Sequence, residues 1–202
     1  VLGLTVQEVL QLNLIEKQFQ ESKQFFKTHQ TKDIKFRKQQ LKLLSKSIKD
    51  HETELLESLK IDLGKGSVEA YATEIGILLK SIKTARKELK NWAKTKQVDT
   101  PLFMFPSKSY IKPEPYGTIL IIGPFNYPVQ LLFEPLIGAI AAGNNAIIKP
   151  SELTPHVAQV VRKVIEDVFA SDFVAVVEGG VEETQTLINL PFDYVFFTGS
   201  EN

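Results

Sequence analysis

All ten prolines of this 202-residue chain lie between Pro101 and Pro191. Proline lacks a backbone donor and its ring clashes with the preceding helical turn, so long helices belong where it is missing. The first hundred residues are therefore free to form long helices, and the rest is expected to be short elements broken by turns. Seven of the eleven glycines also fall in the second half, where Gly and Pro together punctuate loops. Charge divides the chain at the same place: residues 1–100 carry 19 basic and 13 acidic side chains, and residues 101–202 carry 5 and 11.

In the first half, Val68, Tyr71, Ile75, Leu78, Ile82, Ala85, Leu89 and Trp92 alternate spacings of three and four, which places one apolar stripe along one helix. The stripe covers barely four heptads, so it is expected to pack on its own chain rather than in a coiled coil. A less regular stripe runs through Ile34, Leu41, Leu44, Ile48, Leu55 and Leu59, with Gly64 as its stop. A third helix is expected from Thr5 to about Thr28. Lys80, Lys83, Lys87 and Lys90 read as a solvated face. With a formal net charge of zero, nothing marks a nucleic-acid binder.

The second half alternates strands and helices. Tyr116–Ile122, Asn145–Lys149, Phe173–Val177 and Tyr194–Phe197 read as strands. Pro128–Ala142 (ended by Gly143), Pro155 to about Phe169 (with Thr154 as N-cap) and Val181–Asn189 read as helices. Continuous apolar strands joined through helices imply parallel pairing, with both faces of the sheet covered. The fold class is α/β: N-terminal long helices over residues 1–100, then a doubly wound, Rossmann-like parallel sheet over 101–202. Residues 101–115 are expected to be one or two extended segments joining the two. No apolar run reaches the roughly 20 residues of a membrane span. Cysteine is absent, which excludes disulfides and thiolate chemistry within these residues. A soluble, cytoplasmic protein is the expectation.

Ligands of such sheets bind beyond the carboxyl ends of the strands. Four loops should meet there: Gly123–Pro128, Lys149–Glu152, Glu178–Gly180 and Thr198–Ser200. Asn126 either donates its amide to an oxygen gaining negative charge or only shapes its turn. Lys149 and Glu152 either hydrogen-bond vicinal sugar hydroxyls or form a surface pair near a helix N-terminus. Gly179, Gly180 and Gly199 either admit a ligand close to the backbone or are ordinary turns. The fingerprints G-x-G-x-x-G and Walker A are absent. His29, His51 and His156 show no metal spacing and are expected at the surface.

The run YGTILIIGPFNYPVQLLFEPLIGAIAAGNNAIIKPSE, Tyr116–Glu152, resembles the NAD(P)-dependent aldehyde dehydrogenases, most of all the class 3 group, through N-Y-P, G-A-I-A-A-G-N and K-P-S-E. VVEGG and YVFFTGS follow in that family's order. The resemblance implies the aldehyde dehydrogenase fold, NAD or NADP as cofactor, a small-molecule aldehyde substrate, no metal, and a homodimer at full length. It implies that 101–202 is the first part of the cofactor domain and that the Asn126 amide stabilises the oxyanion. It also implies that Ile122, Gly123, Pro124 and Phe125 line the cofactor wall, Lys149 and Glu152 hold the adenosine ribose, Gly180 passes the adenine, and Gly199 and Ser200 begin the pyrophosphate loop. Glu152 would bear on the choice between NAD and NADP. The family's cysteine nucleophile and general-base glutamate come later than Asn202, so these residues alone are expected to be inactive. The alternatives are a non-catalytic nucleotide-binding or interaction module and, less favoured by N-Y-P and K-P-S-E, a reductase of acyl phosphates or acyl-CoA.

Overall fold

Long helices do fill the proline-free half. In the computed structural model, which describes residues 6–199, α1 spans Val6–Lys27, α2 Ile34–Asp50 and α3 Glu52–Leu63. The helix expected from Thr5 is α1; Thr5 itself lies outside the described residues. The stripe from Ile34 to Leu59 belongs to two helices, because His51 leaves α-helical geometry (φ −100°, ψ 12°). Its ring is held on both sides, Nδ1 2.9 Å from Glu54 Oε1 and Nε2 2.6 Å from Asp167 Oδ2. His51 is therefore mostly enclosed rather than a surface residue, unlike exposed His29 and His156.

The stripe at 68–92 also differs from a single straight helix. α4 (Ser67–Ala70) passes through a π-helical turn, Tyr71–Ile75, into α5 (Gly76–Trp92). Ile75, Leu78, Ile82, Ala85 and Leu89 are buried, whereas Val68 is 85% and Trp92 52% exposed. One extra residue in a turn rotates what precedes it by roughly 100°, which takes Val68 off the buried face and brings Glu74 onto it, fully enclosed.

The joining segment is a hairpin of β1 (Lys96–Val98) and β2 (Ser109–Ile111), antiparallel, with Leu102, Phe103 and Phe105 exposed at its tip. The main sheet follows: β3 (Thr118–Ile122), β4 (Asn145–Lys149), β5 (Val174–Val176) and β6 (Tyr194–Phe197), all parallel, in the order β5-β4-β3-β6. The chain crosses through α6 (Gln130–Ala142) and α7 (Pro155–Glu166), and returns through α8 (Val181–Asn189) to the far side of β3.

Alternate strand residues feed two cores. Ile119, Ile121, Ala146, Ile148, Val174 and Val176 join α6 and α7, with α2, α3 and α5 packed behind them. Leu120, Ile122, Ile147, Ala175 and Val177 join Ile15 and Phe19 of α1 and Leu187 of α8 on the other face. The N-terminal helices thus sandwich the sheet, and the two charge halves share continuous cores. Among the described residues no helix is long and apolar enough to cross a membrane.

Two of the helices that lead away from the sheet's carboxyl edge, α6 and α7, take their N-terminal caps from the first half. Thr154 makes no side-chain cap; its Oγ1 turns 3.4 Å from Ser151 O. Asp62 of α3 replaces it, accepting from Val157 N at 2.9 Å. Glu74 does the same for α6, its Oε2 accepting from Val129 N at 2.8 Å and Gln130 N at 3.2 Å. Each carboxylate satisfies orphan donors and complements the helix dipole.

The His51 cluster gives a pH signature. Hydrogen bonds to Asp167, then to Glu54, raise the imidazole above its ordinary value of 6.5. A raised folded-state pKa means that the stabilisation is complete below about 6.5 and is lost as pH climbs through the folded value. The melting temperature should fall between about pH 6 and 9, and His51→Asn should flatten that slope. Equal slopes in the two proteins would exclude His51 as the cause.

Candidate functional site

The sheet order reverses at β3: β4 and β5 lie to one side, β6 to the other. Open α/β sheets bind ligands at such a switch point, outside the carboxyl ends of the strands. A groove of about 560 Å³ occupies this place. The loops after β3, β4 and β6 and Thr184 of α8 line it, and it gathers Ile122, Gly123, Pro124, Phe125, Asn126, Lys149, Glu152 and Gly199. Of the other sequence candidates, Gly180 stands beside the groove rather than in its lining, linked to it by Thr184 Oγ1, which donates to Gly180 O at 2.7 Å. Ser200 lies outside the described residues.

Asn126 is exposed in the turn between β3 and α6. Its Oδ1 accepts from Tyr127 N at 2.9 Å, which ties the carbonyl end of the amide to its own loop. The Asn126 backbone carbonyl is also held, by Lys65 Nζ at 2.8 Å.

Lys149 closes β4 with its side chain almost wholly enclosed, against the surface pairing that its sequence position also allowed. Its ammonium donates to Glu152 Oε2 at 3.0 Å and Pro150 O at 3.2 Å. Lysine has three donors, and among the described residues these two bonds use two of them. The Glu152 carboxyl is held below its ordinary range by its own backbone N–H and by Lys149, and its side chain is half exposed. A positive donor and an ionised acceptor thus stand side by side at the groove wall.

The glycine at 179 is required by geometry. Its φ of 142° favours glycine, and a Cβ there would lie within 2.6 Å of the Glu183 carboxylate. That carboxylate accepts from Gly180 N at 2.7 Å at the start of α8.

Sequence reasoning missed Thr184 and Phe197 in the lining, and Lys65 and Glu74 behind it. Glu74 carried a signal: it lies three residues after Tyr71 and four before Leu78, a carboxylate within an apolar stripe. Lys65 carried none, because only folding brings it across to Asn126.

The sequence profile described as "Aldehyde dehydrogenase family" matches residues 6–202. The chain is 72% identical over 191 residues to 4,4'-diaponeurosporen-aldehyde dehydrogenase of Staphylococcus aureus, covering 95% of this chain and 42% of that protein. It is 39% identical to aldehyde dehydrogenase family 3 member A2 of Macaca fascicularis, covering 92% of this chain and 38% of that one. The chain thus spans about two fifths of the length of these relatives. The solved substrate-bound Staphylococcus aureus AldH superposes with a TM-score of 0.92 at 72% identity, over 93% of this chain and 41% of that one. Glyceraldehyde-3-phosphate dehydrogenase GapN of Methanocaldococcus jannaschii, solved with NADP, superposes at 0.76 over 94% of this chain and 42% of that one; at 21% identity the likeness bears on the fold alone. With the profile running from Val6 to Asn202 over this sheet and groove, the chain belongs to the aldehyde dehydrogenase family.

Proposed function

We propose that this chain supplies the nucleotide groove and the oxyanion donor of an enzyme that oxidises an aldehyde to its carboxylic acid with NAD or NADP. The observation that carries the reading is the groove at the switch point, which Asn126 and the Lys149–Glu152 pair line together. The donor set fits a dinucleotide. Glu152 would accept from one ribose hydroxyl and Lys149 would donate to the next, and the glycine-bearing strand ends would let the ligand lie close to the backbone. NAD or NADP held there would supply the hydride acceptor. Asn126 donates to the aldehyde oxygen as it gains charge, and Ile122 to Phe125 form the wall leading there. Gly180 and Ser200 are assigned to the adenine side and the pyrophosphate loop by family likeness. The 202 residues contain no cysteine, so the nucleophile of this chemistry is assigned to the whole protein.

The domain division follows the same reading: 1–100 as a helical segment, 101–202 as the first part of the cofactor domain. We place the whole protein in the cytoplasm as a homodimer that binds no nucleic acid. The zero net charge supports the last point, and the exposed apolar hairpin tip supports a partner surface.

The direct test is aldehyde-dependent NAD(P)H formation by the protein expressed from its whole native gene. The first aldehyde to try is the one in the Staphylococcus aureus relative's name. No NADH or NADPH with any aldehyde would sink the reading. A second test concerns Glu152, whose carboxylate accepts from a 2′-hydroxyl but repels a 2′-phosphate. Glu152→Gln should move the ratio of kcat/KM for NAD over NADP toward NADP by about tenfold or more, the scale of one charged hydrogen bond. An unchanged ratio would remove Glu152 from the ribose.

A further inference from the structure

We propose that Lys65 and Glu74 form a charged clamp that positions Asn126, so that both residues govern catalysis without touching the substrate. This rests on the reading of Asn126 as the oxyanion donor.

The clamp is built from two local departures from regular helix. Gly64 ends α3 in the left-handed conformation (φ 69°), with Gly64 N donating to Lys60 O and Lys65 N to Leu59 O. That C-terminal motif turns Lys65 out of the helix axis and toward the β3–α6 loop. Glu74 sits in the π-helical turn Tyr71–Ile75, and π-turns inside helices recur at functional positions. Neither residue would reach the loop from an uninterrupted helix.

Apart from the bond that joins them, the pair's hydrogen bonds go to that loop and to its continuation. Lys65 Nζ donates to Glu74 Oε1 and, at 2.8 Å, to Asn126 O. It also stands 3.9 Å from the centroid of the Tyr127 ring, a cation–π contact. Glu74 Oε2 accepts from Val129 N and Gln130 N. The Asn126 carbonyl, the Tyr127 ring and the N–H groups at the start of α6 are thus all met by one ion pair. Glu74 is fully enclosed and the Lys65 side chain is 10% exposed. A buried pair holds its geometry only when its remaining hydrogen bonds are satisfied, as they are here. Among the described residues the Asn126 side chain is anchored by Tyr127 N, a member of the same clamped loop. A shift of about 1 Å in a reacting group can cost up to a hundredfold in rate, so rigid placement of this loop is worth a dedicated ion pair.

A merely structural pair would lower stability and leave the chemistry alone. The discriminating experiment is a double-mutant cycle in the whole protein, reading kcat/KM for aldehyde and KM for the nucleotide. Lys65→Met should lower kcat/KM by about ten- to a hundredfold with KM for the nucleotide changed less than twofold. On an Asn126→Ala background the same substitution should lower it less than twofold, because the group being positioned is gone. Glu74→Gln keeps an acceptor for Val129 N and Gln130 N but drops the charge. It should behave in the same way with a smaller loss, and it carries the test where Lys65→Met fails to fold. A loss under threefold in both variants, or a loss that multiplies in full on Asn126→Ala, would overturn the clamp alone. If Asn126→Ala itself changes kcat/KM less than threefold, the oxyanion reading falls and the clamp falls with it.

Discussion

Asn126→Ala should lower kcat of the whole protein by about a hundredfold to a thousandfold, the scale of losing a single oxyanion donor. The effect is expected to be almost purely kinetic. Asn126 is exposed, and among the described residues its side chain makes one hydrogen bond, accepting from its neighbour's backbone N–H. The anchor of the loop is the backbone carbonyl of the same residue, held by Lys65, and alanine retains it. The melting temperature should therefore stay within about 2 °C, because a surface substitution of this kind stays within roughly 0.5 kcal/mol. Asn126→Asp sharpens the test. It keeps an acceptor for Tyr127 N but puts a carboxylate where a donor is needed, so it should be at least as damaging as alanine. A kcat within threefold of the parent in both variants would take Asn126 out of the chemistry.

The division into helices and a parallel sheet was legible because its causes are local. Strand apolarity and glycine placement marked β4, α8 and β6 to the residue. The carboxyl-edge loops were legible because a parallel sheet puts them together whatever the side chains. What stayed hidden was every long-range polar contact. Thr154 carries a capping signature, yet the donor it should satisfy is met by Asp62, 95 positions away. His51 reads as a helical surface residue until α7 brings Asp167 to its ring. Glu74 and Lys65 lie nine positions apart and meet because one leaves a helix end and the other enters a π-turn. Periodicity records which face is buried but not which carboxylate will cap which helix. The candidate site followed the same rule: its lining was largely legible, its supports were not.

Arg37→Met should cost about 3 kcal/mol of stability, the largest loss expected from any single change outside the apolar cores. Arg37 lies on α2 with 8% exposure, and its guanidinium joins three backbone carbonyls. Nε donates to Thr31 O, Nη2 to Lys32 O at 3.0 Å, and Nη1 to Ala141 O at 3.3 Å. The last is a terminal carbonyl of α6, where a cation complements the helix dipole. Gly143 makes room for this. Its φ of 91° ends α6 in the left-handed region, and a Cβ there would come within 2.6 Å of the guanidinium. Burial lowers the Arg37 pKa, with Asp33 and Glu114 opposing it, yet guanidinium stays charged at neutral pH. Methionine fills the same volume with no donors, so up to three carbonyls lose a partner at about 1–3 kcal/mol each. Relief of the buried charge offsets part of that. For a chain of this size the melting temperature should fall by roughly 6–12 °C. Arg37→Lys, with a point charge in place of a fork, should recover only part of it. Because Arg37 grips the end of α6 remote from Asn126, kcat of the folded variant should stay near the parent value, the mirror image of Asn126→Ala. A loss below 1 kcal/mol would mean that water satisfies those carbonyls unaided, and that α6 is held by its apolar contacts alone.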